Sequence, residues 1–190
     1  MLDSILLRIA KCSILNKFKN KYSFDKERLL DDYPFLEKDA ATFVTLKLKG
    51  ELRGCIGSLI AHRTLFEDII HNAVSAGFSD PRFKPLDESE LNGLNIEVSV
   101  LSKPTKLSYE SFEDLCEKLD VNVDGLILEY EQHRGTFLPQ VWEQLKTPKS
   151  FLEHLSMKAG LDLSIYKKHP NIYRYKVEAI EENFDEILQL

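Results

Sequence analysis

The sequence predicts an α+β fold, and three observations carry that prediction. Apolar residues alternate at period two in several short segments, they recur at helical spacing in the segments between, and the order hairpin, helix, strand occurs twice along the chain. The chain has 190 residues, 43% of them hydrophobic, so it is long enough for a substantial core without disulfides or metals.

The first element is a helix. Leu2, Ile5, Leu6, Ile9, Leu15 and Phe18 recur at helical spacing, while Lys11, Lys17, Lys19 and Lys21 fall on the solvated side. Asp3 and Arg8 interrupt the apolar run and no small-residue cleavage site follows, so the segment reads as an amphipathic helix packed on a core, not a signal peptide. Asp25 to Asp39 is charged and closes around Tyr33-Pro34, a short helix followed by a turn. Thr42 to Lys49 then alternates at period two, Gly50 turns the chain, and Leu52 to Ile60 returns it as a β-hairpin. Thr64 is placed to cap a helix with Glu67 at the capping-box position, and Leu65, Phe66, Ile69, Ile70, Ala73 and Val74 form its stripe up to Gly77. Leu94 to Leu101 is a further strand.

The second half runs similarly. Gly125–Tyr130 and Gly135–Leu138 predict a hairpin, 150–159 a helix and 171–179 a strand. Arg53-Gly54 and Ala76-Gly77 of the first half match Arg134-Gly135 and Ala159-Gly160 of the second at nearly equal separations. This is the pattern of an internal duplication, or of two similar supersecondary units arrived at separately. Between the halves, Pro104 marks a break and Tyr109 to Leu119 reads as a linking helix, with Phe112, Leu115, Cys116 and Leu119 on one face. The acidic segment 181–190 reads as a short docked helix or a frayed tail.

Composition excludes several functions. A net charge of −6 argues against a nucleic-acid partner, and no apolar run reaches the length of a membrane span. Cys12, Cys55 and Cys116 are odd in number and far apart, which fits reduced thiols and a cytoplasmic location. The five histidines show no i, i+4 pair, and Gly54-Cys55-Ile56-Gly57 lacks the lysine of a phosphate loop and the spacing of a dinucleotide fingerprint. No metal and no cofactor are expected.

The chemistry concentrates in two places. Arg53, Gly54, Cys55, Gly57 and Ser58 put a guanidinium, a thiol, a hydroxyl and two permissive backbone positions within six residues. Simple alternation sets Arg53, Cys55 and Gly57 on one face and Leu52, Gly54, Ile56 and Ser58 on the other. A cation beside a thiol favours the thiolate. Cys55 is therefore a candidate nucleophile and Arg53 a candidate clamp for a carboxylate or phosphate; the competing reading is a small packed thiol and an arginine in an ordinary ion pair. The second concentration is Phe78 to Pro85, where two prolines stiffen a loop presenting Asp80, Arg82 and Phe83, either as an intraloop ion pair or as the border of a pocket. Trp142, after Pro139, reads as a core or interface anchor ahead of a stacking platform.

Leu52-Arg-Gly-Cys-Ile-Gly57, with Thr42-Phe-Val-Thr-Leu46 before it and Asp80-Pro-Arg-Phe83 and Ile96-Glu-Val-Ser-Val-Leu101 after it, resembles the AMMECR-one domain family. Asp124-Gly-Leu-Ile-Leu128, Thr136-Phe-Leu-Pro-Gln-Val141 and Lys158-Ala-Gly-Leu161 resemble the remaining family blocks in a bacterial form. Some relatives carry histidine where this chain has Asp124, so no role of that histidine transfers. The resemblance covers about residues 40 to 180. It implies two unequal subdomains, one about 40–103 and the other about 1–39 with 104–190, with the Arg-Gly-Cys segment near a cleft between them. It supplies no reaction, but it implies a pathway shared with Memo-type and radical S-adenosylmethionine proteins.

Two functions are thus expected. One is a cytosolic enzyme or enzyme component that holds a small anionic or nucleotide-like ligand with Arg53, Arg82 and the backbone around Gly54 and Gly57. In it Cys55 is nucleophile or acid/base, Asp80 or Glu97 orients, and Phe83 and Arg134 are further ligand contacts. The other is a protein-interaction module in which Cys55 is only packed.

Overall fold

The computed structural model describes residues 2–19 and 25–190, and the chain forms two compact units: Met1–Leu101 with Glu178–Leu190, and Ser102–Val177. It mixes helices with antiparallel sheets, as an α+β fold does. The division differs from the one expected at 40 and 103, because the N-terminal helix packs into the first unit's core.

That helix, α1 (Ile5–Lys19), buries Ile5, Leu6, Ile9 and Ile14 completely or nearly so. Lys17 is exposed as expected, but Lys11 is buried. Its ammonium donates to the carbonyls of Phe184 at 2.6 Å and Ile187 at 2.7 Å, so the C-terminal segment docks on α1. The side chain of Lys19 and the whole of Lys21 lie outside the described residues. Next, α2 (Lys26–Asp32) is capped by the Asp25 carboxylate and followed by a 3-10 turn at Pro34–Glu37.

The predicted hairpin is β1 (Ala41–Leu48) and β2 (Glu51–Gly57). Lys49 and Gly50 both have positive φ, 53° and 84°, as a two-residue hairpin turn that follows the strand twist requires. Helix α3 (Leu65–Phe78) starts at Thr64, whose hydroxyl accepts the Glu67 amide, and lies on the sheet through Phe66, Ile69, Ala73 and Ala76. Strand β3 (Leu94–Leu101) pairs with β1.

The second unit holds β4 (Thr105–Leu107), α4 (Phe112–Glu117), β5 (Gly125–Tyr130), β6 (His133–Phe137), α5 (Pro148–Lys158) and β7 (Asn171–Tyr175). Helix α4 is shorter than the predicted linking helix because Ser111 caps it only at Phe112; its apolar face joins the second core. Trp142 is a core residue, stacked on Phe151 with centroids 3.9 Å apart and donating to the Asp124 carbonyl.

The strand expected over 171–179 is two strands. After Lys176 the chain leaves the second sheet as β8 (Val177–Asn183), which pairs with β3 in the first. The sheets read β2-β1-β3-β8 and, from the corresponding edge, β6-β5-β7-β4. Hairpin, helix and third strand thus have one topology in both units. The matched dipeptides occupy similar places: Gly54 on β2 meets Ala76 of α3, and Gly135 on β6 meets Leu155 of α5 and Ala159, the residue that caps it.

Candidate functional site

The site is built on β2, an edge strand of the first sheet. Counting back from the Lys49-Gly50 turn would set Val44 opposite Cys55, on the core face. A bulge intervenes: Lys47 pairs with Leu52 and Leu46 with Gly54, leaving Arg53 without a partner on β1. One extra residue exchanges the faces of everything beyond it. Gly54 therefore turns toward α3, where a β-carbon would collide with the Ala76 carbonyl, and Cys55 turns to the opposite face. Beyond the bulge the alternation is the one the sequence reading gave, with Gly54 and Ile56 toward the core and Cys55 and Gly57 on the other face.

The bulge aims Arg53 at Glu90. Nε and Nη2 donate to the two carboxylate oxygens at 2.7 and 2.8 Å, and the side chain is 14% exposed. The same Glu90 closes a capping box with Asp87, accepting its amide at 2.8 Å. Arg53 thus ties the edge strand to the segment before β3, and its bonds to Glu90 hold that carboxyl below the usual range.

Cys55 is half-buried. Its sulfur receives the Thr45 hydroxyl at 3.3 Å from the directly opposed residue of β1, and Thr45 in turn opposes Glu97 on β3. Glu97 accepts from Lys47 at 2.9 Å and from Ser99 at 3.2 Å. Lys47 also reaches Glu181 at 2.8 Å, so these charges link β1, β3 and β8.

The free backbone edge of Cys55 is filled by the Asp80-Pro81-Arg82-Phe83 loop. Asp80 Oδ2 accepts the Cys55 amide at 2.9 Å, and Arg82 Nη2 donates to the Cys55 carbonyl at 3.1 Å. Arg82 also binds both Asp80 oxygens, at 2.9 and 2.7 Å, so one ion pair satisfies both backbone groups where a further strand would otherwise pair. The Asp80 side chain is 2% exposed and that of Arg82 is 54% exposed. The Arg82 guanidinium, helped by the Cys55 and Arg82 amides, holds the Asp80 carboxyl well below the usual carboxylate range. Phe83 lies under both guanidiniums, 5.9 Å from Arg53 and 5.5 Å from Arg82. Gly57 permits the Phe43 ring to lie against the strand.

Sequence reasoning missed Thr45, Glu90 and Asp68. The Asp87-x-x-Glu90 spacing of a capping box was a signal for Glu90, and the Lys49-Gly50 turn a signal for Thr45 had the bulge been known. Asp68 is wholly buried. It accepts from Thr42 N and Oγ1, Ser58 and Arg63 at 2.8 Å and from Asn72 at 3.0 Å, which commits it to holding β1, the end of β2 and α3 together.

Arg134 belongs to the second unit, where its partner is the cross-strand Glu129 at 3.2 Å. Asp124 is wholly buried in that unit. Oδ2 accepts the Asp120 amide at 2.8 Å, Oδ1 has no partner, and Arg174 stands 3.6 Å away, so burial pushes the carboxyl up. Among the described residues no three His, Cys, Asp or Glu side chains converge as metal ligands do, and no helix is long and apolar enough to cross a membrane.

The chain matches the AMMECR1 family over residues 7–180. A protein of Methanothermobacter thermautotrophicus is 37% identical over 185 residues, covering 94% of this chain and 93% of its own length. One of Sulfolobus acidocaldarius is 40% identical over 201 residues, covering 97% and 85%. The crystal structure of the uncharacterized protein PH0010 from Pyrococcus horikoshii is similar with a TM-score of 0.77 and 30% identity, over 94% of this chain and 90% of that one.

Proposed function

We infer that this chain, which belongs to the AMMECR1 family, is a cytosolic enzyme or enzyme component with Cys55 as its reactive group. It acts on a small anionic or nucleotide-like ligand held beside the Arg53-Gly54-Cys55 segment. The observation that carries this reading is the setting of the thiol. Cys55 sits on the sheet face away from α1 and α3, with Thr45 donating to its sulfur and its backbone fixed at both ends by Asp80 and Arg82. A packed core thiol has a different setting, and Cys12 exemplifies it: buried in α1, with its ionisation pushed up by desolvation. The contact for an anion falls to Arg82. It is more than half exposed, whereas Arg53 is largely buried and bound to Glu90. The Memo-type and radical S-adenosylmethionine pathway implied by the family resemblance is part of this reading.

A specific observation favours a second reading, a protein-interaction module with Cys55 structural. Both arginines have internal carboxylates as their first partners, and Gly54 and Gly57 serve close packing.

Thermal unfolding in the presence of millimolar ATP, GMP and inorganic phosphate tests the first reading, since a ligand that binds only the folded state raises Tm with its concentration. The expected result is a rise for at least one of these anions in the wild type that is lost in Arg82→Gln. No rise with any of them contradicts anion binding and favours the interaction module.

A further inference from the structure

The reading of Cys55 as a reactive thiol leaves open what controls it. We infer that Asp80 and Arg82 are positioning residues that tune Cys55 as a balanced pair of opposite charges, Arg82 favouring the thiolate and Asp80 opposing it. The inference rests on the proposed function and deepens it.

Three observations support it. The pair is bonded to the backbone of Cys55 on both sides, Asp80 to the amide and Arg82 to the carbonyl, so both charges are fixed relative to the thiol. Each holds the other in place through two short bonds, on a loop stiffened by Pro81 and Pro85. Arg53, the cation that adjacency in sequence suggests, is neutralised by Glu90 in a bidentate pair. Removing either member of the Asp80–Arg82 pair leaves the other charge unbalanced beside Cys55. In a mostly aqueous setting an unbalanced unit charge at close range changes the thiolate population about threefold.

The experiment is site-resolved alkylation of the native protein by iodoacetamide between pH 5 and 9, read by mass spectrometry, with Cys116 of the second unit as internal reference. Arg82→Gln should move the midpoint of the Cys55 rate curve to higher pH and slow the reaction at neutral pH about threefold. Asp80→Asn should move the midpoint to lower pH and speed it by a similar factor. Arg82→Lys, which keeps the charge, should return the midpoint toward the wild type and keeps the test decisive if Asp80→Asn does not fold. A loop that only holds the backbone would loosen in both variants and shift the two curves in the same direction, and that result overturns the inference, as do unchanged midpoints. Should Cys55 be inert in the wild type while Cys116 reacts, the reactive-thiol reading itself fails and the inference falls with it.

Discussion

A β-carbon on Gly54 would collide with the carbonyl oxygen of Ala76, so β2 and α3 approach more closely than any side chain at that position allows. The collision is with helix backbone, which cannot rotate out of the way. Gly54→Ala is therefore expected to destabilise the first unit by about 3 kcal/mol, at the upper end of overpacking costs. Gly135 is the counterpart, where the added carbon would lie 3.0 Å from the Leu155 carbonyl and 3.1 Å from the Ala159 side chain. Gly135→Ala should cost about 1 kcal/mol. Urea unfolding of the two variants checks both the size and the order; equal costs would mean that the two interfaces are not graded as the geometry has them.

Asp80→Ala removes the acceptor of a strand-edge amide and the partner of a guanidinium. The expected loss is about 2 kcal/mol at pH 7. Its pH dependence has a definite sign. The folded Asp80 carboxyl is held below the ordinary value, so its stabilisation is fully present above about pH 4 and is lost as pH falls below that through the lower folded value. Between pH 4 and pH 2 the wild type should lose stability more steeply than Asp80→Asn. Parallel acid-unfolding curves would show that Asp80 does not carry this linkage.

Asp124 has the opposite sign. Burial raises its folded pKa, so the protonated form is favoured in the fold and its contribution fades as pH rises from about 4 through the raised value. Asp124→Asn should therefore gain stability relative to the wild type as pH increases from 4 to 7. Trp142 reports this directly, because it is the only tryptophan and its indole donates to the Asp124 carbonyl. Fluorescence-detected unfolding across that range measures the difference, and a difference that narrows with rising pH would mean that Arg174 stabilises the ionised carboxylate after all.

Much of the fold was legible in the sequence because local patterns specify it. The Lys49-Gly50 turn, the Thr64 cap and the stripe of α3 all mark features that form as read. What was not legible depends on partners distant in the chain. Period two tells which residues share a face but not which sheet a strand joins, so the break at Lys176 that sends β8 to the first sheet left no signal. The bulge at Arg53 left no signal either, and the partner of that arginine lies 37 residues away. Lys11 looked solvated because helical spacing on α1 does not show that residues 184–187 cover it. At the candidate site the residue types were readable, but their bonds were not.

The central claim is that Cys55 is the accessible, reactive thiol. Burial pushes the ionisation of both other thiols up, with Glu113 adding to the effect at Cys116, so neither should compete at neutral pH. Site-resolved alkylation rates of Cys12, Cys55 and Cys116 in the native wild-type protein test this most directly. The account predicts that Cys55 is modified first and fastest near pH 7, with Cys12 protected until the first unit unfolds. A Cys55 that stays unmodified until denaturation would contradict it and leave the thiol a structural residue of the β2 edge.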